Sequence, residues 1–136
     1  MIKRILVGTD STASADLAVQ AAGELARTHR AQLLVLHVRN LNDVRDAIDP
    51  GKAPDAGVYL ERLRSRYADV GARTRKEPGD PAETICAVAA EEDADLIVVG
   101  NRGTHGRRRA FLGSVPAGVM KAAPCSVLIV DTRSAQ

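Results

Sequence analysis

Acidic residues are missing from one continuous stretch of this 136-residue chain, with none between Asp95 and Asp131. Arg102, Arg107, Arg108, Arg109 and Lys121 fall inside it, so the window carries +5 and leaves −3 for the rest of a chain whose formal charge is +2. A local patch of that kind suits a small anion such as a phosphate chain. Aromatics are scarce too, being limited to Tyr59, Tyr67 and Phe111. Nucleic-acid surfaces ordinarily join a broad basic face to aromatic stacking groups, so no nucleic-acid partner is expected. Cysteine is confined to Cys86 and Cys125, with no C-x-x-C spacing and no nearby His, which reads as two free thiols. No apolar run approaches the about 20 residues of a membrane helix. Met1 leads straight into a strand-like "IKRILVG" without a signal-peptide apolar region. No membrane partner and a cytoplasmic location are therefore expected. What the chain has is apolar material, 45% of residues, enough for one domain over 1–136 with its own core.

That material alternates in period. Arg4–Val7 and Leu33–Val38 are short apolar runs of the buried-strand type. Between them Leu17, Ala18, Ala21, Ala22 and Leu25 repeat at helical spacing, with Ser11, Thr12 and Ser14 available as caps. Residues Arg39 to Gly57 are rich in Asp, Pro and Gly and read as a long surface loop that covers a ligand, with Leu41, Val44 and Ile48 as its only periodic element. Leu60, Leu63, Tyr67 and Val70 space out a second helix, ended by Gly71, and the polar Ala72–Glu77 suits an edge strand. Asp80, Pro81 and Glu83 predict a capped helix start. Ala94–Val99 is a further buried strand. Ser114 can cap a last helix that Pro124 terminates, and Ser126–Val130 is a fifth strand.

The resulting βαβαβαβαβ order predicts an α/β, Rossmann-like, doubly wound single domain with a largely parallel sheet and helices on both faces. Ligands of such sheets bind beyond the C-terminal strand ends, where strand order reverses. The two most site-like loops follow the first strand, "GTDST", and the fourth, "GNRGTHGRRRAFLGS". Strand order 3-2-1-4-5 places both on one crevice.

A glycine loop that leaves a strand and delivers a helix N-terminus aims backbone N–H groups and the helix dipole at an anion. Gly100, Gly103 and Gly113 would let the backbone approach that anion or take positive φ, and the Ser114 hydroxyl stands at the helix start. Neither G-x-x-x-x-G-K-[ST] nor G-x-G-x-x-G is present, which disfavours a Walker-type NTPase and a dinucleotide dehydrogenase. His105 has no Ser, Cys or acid as a partner, and Asp10 has no second acid in the neighbouring loops with which to share a metal, so neither reads as catalytic.

The spacing Gly-x2-Gly-x9-Gly-Ser at Gly100, Gly103, Gly113 and Ser114 resembles that of the universal stress protein family, in its ATP-binding branch. "RILVGTD", "GDPAETI" and "ADLIVVGNRG" are similar to the family's first strand, third helix and fourth strand, so the resemblance spans the whole chain. It implies an ATP-binding regulatory protein, with Mg2+ accompanying the nucleotide. Asp10 would contact ribose or adenine, Val38 would meet adenine through its backbone, and Thr9 would flank the site. Gly100, Arg102, Gly103, Gly113, Ser114 and Val115 would line the phosphates. Ser11-Thr12 stands where family members commonly carry Gly-Ser, which implies a stiffer or differently turned loop. The resemblance also implies a homodimer through the fifth strand and at most slow ATP hydrolysis. The alternatives are binding of another adenine nucleotide such as cyclic AMP, or an adenine-nucleotide alpha-hydrolase-like enzyme.

Overall fold

The computed structural model describes residues 1–40, 56–101 and 112–132. Their order is β1 (Arg4–Thr9), α1 (Ala13–His29), β2 (Gln32–Arg39), α2 (Ala56–Arg66), a 3-10 turn (Ala68–Val70), β3 (Arg73–Pro78), α3 (Pro81–Glu91), β4 (Leu96–Gly100), α4 (Ser114–Ala122) and β5 (Ser126–Val130). All strand pairs are parallel and the sheet order is β3-β2-β1-β4-β5, the order expected.

Strand residues alternate between two cores, because successive side chains leave a strand on opposite faces. Register aligns Ile5 with Leu33 and Leu96, and Val7 with Val35 and Val98. These residues form one apolar layer beneath Ala18, Val19, Ala22 and Ala26 of α1 and Leu60 and Leu63 of α2. Leu6, Leu34, Leu36, Ile97 and Val99 face the other way, against Ile85, Val88 and Ala89 of α3 and Val119 of α4. Helices therefore cover both faces, and each fully buried Leu or Ile contributes about 1.5–3 kcal/mol through apolar surface removed from water.

The helix starts are set locally. Thr12 caps α1 by accepting Ala15 N–H at 3.2 Å. Asp80 caps α3 by accepting Glu83 N–H at 3.0 Å, with Pro81 in the first turn, where its missing N–H costs nothing. Three local expectations are corrected. Gly71, at φ 63°, ends the 3-10 turn rather than α2, which stops at Arg66. The cap of α4 is Gly113, and Ser114 is the first helical residue. β1 runs past Val7 to Thr9, because the ladder continues through Gly8–Leu36 and Thr9–His37. The proposed turn at Leu41, Val44 and Ile48 lies outside the described residues.

Candidate functional site

The chain passes from β1 to β2 on one side of the sheet and places β4 on the other, so β1 and β4 flank a topological switch point. Thr9 ends β1 and Gly100 ends β4. The loops after both strands leave the same sheet edge, and α4, returning so that β5 can run parallel, starts at that end. Thr9 pairs with His37, which puts Val38 one residue further toward the same edge.

Asp10 opens the first loop. Its Oδ1 accepts Thr12 N–H at 3.0 Å and the Thr12 hydroxyl at 2.6 Å, which turns the exposed carboxylate across its own loop. Ser11 sits at φ 69°, the left-handed region that a side chain disfavours. Its N–H donates to Thr9 Oγ1 at 3.1 Å, while its own hydroxyl is buried without a hydrogen-bond partner. Ser11-Thr12 thus builds a strained turn, the second of the two outcomes expected of a stiffer or differently turned loop.

Thr9 is buried, and its hydroxyl lies 3.2 Å from the Tyr59 hydroxyl of α2, which donates to Asp16 Oδ1 at 3.2 Å. Burial, with Asp16 and Asp10 nearby, pushes the Tyr59 phenol up to about 12 against the opposing hydrogen bond from Thr9. It therefore keeps its proton throughout the neutral range. No local pattern signals Tyr59 or Asp16 here, since the Thr9 contact spans 50 residues.

Val38 is buried in the α3/α4 core, which removes its side chain from the sheet end. Val115 packs on the same core. At the start of α4, Pro116 has no N–H, and Ala117 N–H is already bonded to the Gly113 carbonyl at 3.1 Å. Among the described residues, Ser114 and Val115 N–H have no acceptor. These two amides, with the exposed Ser114 hydroxyl, form a small anion-directed set at the positive end of the helix dipole.

Of the two expected uses of Gly100, positive φ is not taken. Among the described glycines positive φ belongs to Gly71 and Gly79, whereas a Cβ on Gly100 would meet Thr132 Cγ2 at 2.8 Å and the Ser14 carbonyl at 3.8 Å. Gly113 has φ −61° and ψ 162°, a conformation open to any residue. Arg102 and Gly103, with His105 and Arg107 to Arg109, lie outside the described residues. Cys86 and Cys125 are unbridged; burial raises both thiols, and Cys86 Sγ points at the Val119 carbonyl at 3.9 Å. No group of three His, Cys, Asp or Glu among the described residues could hold a metal ion, and no helix among them is long and apolar enough to cross a membrane.

The fold is that of a doubly wound α/β domain, with β1 and β4 adjacent at its topological switch point. A model of the universal stress protein family matches residues 1–131, and the chain belongs to that family. A universal stress protein of Thermus aquaticus, from the QAH/OAS sulfhydrylase 3' region, is 37% identical over 138 residues, covering 96% of this chain and 99% of its own. One from Synechocystis sp. is 33% identical over 141 residues, covering 96% and 86%. Among solved structures, a universal stress protein in complex with cAMP superposes with TM-score 0.73 at 30% identity, covering 96% of this chain and 98% of that one.

Proposed function

We propose that this chain is an ATP-binding regulatory protein of the cytoplasm, holding the nucleotide between the β1 and β4 loops. The observation that carries the reading is the pair of amides, Ser114 and Val115, that have no acceptor among the described residues at the start of α4. They stand in a window free of acids and at the same sheet end as the Asp10 carboxylate. Phosphate needs donors and positive potential, and a nucleoside needs a polar acceptor beside an apolar wall. Asp10 supplies the acceptor, toward ribose or adenine, with Val38 meeting the base through its backbone and Thr9 flanking the loop. Gly100, Arg102, Gly103, Gly113, Ser114 and Val115 line the phosphates.

Mg2+ accompanies the triphosphate in this reading. Phosphate oxygens and water would hold that ion, which keeps several of its waters when bound. Hydrolysis is at most slow in this reading, and nucleotide occupancy regulates binding of a protein partner. The copies pair through β5.

The solved relative bound to cAMP favours a second reading, in which cyclic AMP is the occupant. Asp10 and Val38 contact only the nucleoside and accept either ligand; the phosphate-lining residues tell them apart. Mass spectrometry of small molecules released from freshly purified protein tests both, followed by calorimetry with ATP, ADP, AMP and cyclic AMP. Gly113→Val is the control variant: its backbone conformation suits a β-branched residue, so the fold survives while the new side chain occupies phosphate space. Unchanged ATP affinity in that variant sinks the phosphate assignment.

A further inference from the structure

We infer that Tyr59 is a positioning residue for the nucleoside, holding the Asp10 loop in its binding geometry through Thr9. The inference rests on the nucleoside role assigned to Asp10 above. Hydrogen-bond chemistry fixes the direction of the chain. The Tyr59 hydroxyl donates to Asp16 Oδ1, 3.2 Å away, so its proton is committed there. The Thr9 hydroxyl must then donate to the Tyr59 oxygen at 3.2 Å, which leaves Thr9 Oγ1 free to accept Ser11 N–H at 3.1 Å. The run is Ser11 N–H to Thr9, Thr9 to Tyr59 and Tyr59 to Asp16.

Each link bears on Asp10. Ser11 is held at φ 69° against its own preference, and the bond from its N–H to Thr9 is what opposes relaxation of that turn. Asp10 is bracketed by Thr9 and Ser11, and its carboxylate bonds to Thr12 just beyond. Asp16 is fixed in turn by Gln20 Nε2 at 3.4 Å and by Arg66 at 4.0 Å, so α1 and the far end of α2 anchor the acceptor. Without the Tyr59 hydroxyl, the Thr9 hydroxyl loses its acceptor in a buried site, and a turn of the side chain about χ1 toward another moves Oγ1 away from Ser11 N–H. Tyr59 is half-buried and separated from Asp10 by Thr9, so it acts through the loop.

The test is a double-mutant cycle on AMP affinity, measured by calorimetry on the full chain. Tyr59→Phe is expected to weaken AMP about tenfold, the equivalent of one buried hydrogen bond. In an Asp10→Ala background the same change is expected to alter affinity less than about twofold, because its route to the ligand is already cut. Purely structural damage would add to the Asp10→Ala loss instead, and additive losses overturn the inference. So does a Tyr59→Phe protein that binds AMP as wild type does. Thr9→Val and Thr9→Ser keep the question open to measurement if Tyr59→Phe folds poorly: the first cuts the chain at its other end and is expected to match the tenfold loss, the second keeps the hydroxyl and the affinity. Equal affinity in those two variants overturns the inference. Failure of the underlying reading is visible separately, as a wild-type protein that binds no AMP or an Asp10→Ala protein that binds it unchanged, and the inference falls with it.

Discussion

Thr132, two residues beyond β5 and completely buried, packs its Cγ2 into the space where a side chain on Gly100 would begin, 2.8 Å from an ideal Cβ. Its hydroxyl and its N–H both donate to Asn101 Oδ1, at 2.8 and 3.2 Å, and Asn101 N–H donates to the Val130 carbonyl at 2.9 Å. The residue that opens the glycine loop is thereby stitched to the end of β5. Gly100→Ala is expected to cost about 1–3 kcal/mol by overpacking, since a buried β-branched neighbour has no soft direction in which to retreat. Thr132→Ser removes the clashing methyl and keeps the hydroxyl, so the double variant should be more stable than Gly100→Ala alone. Urea denaturation checks the order of midpoints, and an absence of rescue defeats the steric account.

Ser11→Gly is expected to stabilise the protein. Holding Ser11 at φ 69° costs about 1–2 kcal/mol, and its buried, unpartnered hydroxyl about 1–3 kcal/mol more. The extra chain entropy of glycine in the unfolded state takes back about 0.5–1 kcal/mol. A net gain of about 1 kcal/mol or more should appear in the denaturation midpoint, and a clear loss would mean the hydroxyl has a role the hydrogen bonds do not reveal.

Acid sensitivity has a traceable source at the opposite end of the sheet. Asp95 Oδ2 accepts Lys3 and Arg4 N–H at 2.8 and 2.9 Å, and these two backbone bonds hold the carboxyl below its ordinary range. A carboxyl depressed on folding contributes stability above its unfolded pKa, about 3.9 for aspartate, and loses it as pH falls through the lower folded value. Asp95→Ala should therefore be less stable than wild type near neutrality, with the gap closing below about pH 4. Melting curves between neutral and acid pH decide this, and a gap independent of pH would assign the loss to packing.

The sheet has two edges of different character. β3 carries Arg73, Arg75, Lys76 and Glu77, with Arg75 bridged to Glu77 at 2.7 Å and to Glu91 at 2.6 Å, and charge of this kind blocks strand addition. β5 offers Val127, Leu128, Ile129 and Val130, with Leu128 exposed at 37%. Self-pairing of β5 about a two-fold axis would close that edge. Light scattering should give twice the chain's 14.4 kDa at micromolar concentration, and Leu128→Pro should lower it. A monomeric wild type ends the proposal.

Period and punctuation determined much of this protein from its sequence. The apolar runs at Arg4–Val7, Leu33–Val38 and Ser126–Val130 became β1, β2 and β5, and Asp80–Pro81 opened α3, because buried strands and helix caps are specified by residues adjacent in the chain. The alternation of elements, with right-handed crossovers, then left few strand orders, and the observed one puts Asp10 and the start of α4 at the same end. Tertiary structure decided what no local pattern encodes. Tyr59 reaches Thr9 across 50 residues and Thr132 reaches Asn101 across 31, distances at which neither periodicity nor spacing carries information. The same separation hides from the sequence that Gly100, legible as a loop glycine, has no room for a side chain beside Thr132. Ser11 takes a conformation that its residue type argues against, and it does so because the ladder of β1, the cap of α1 and the Thr9 hydroxyl fix both of its neighbours.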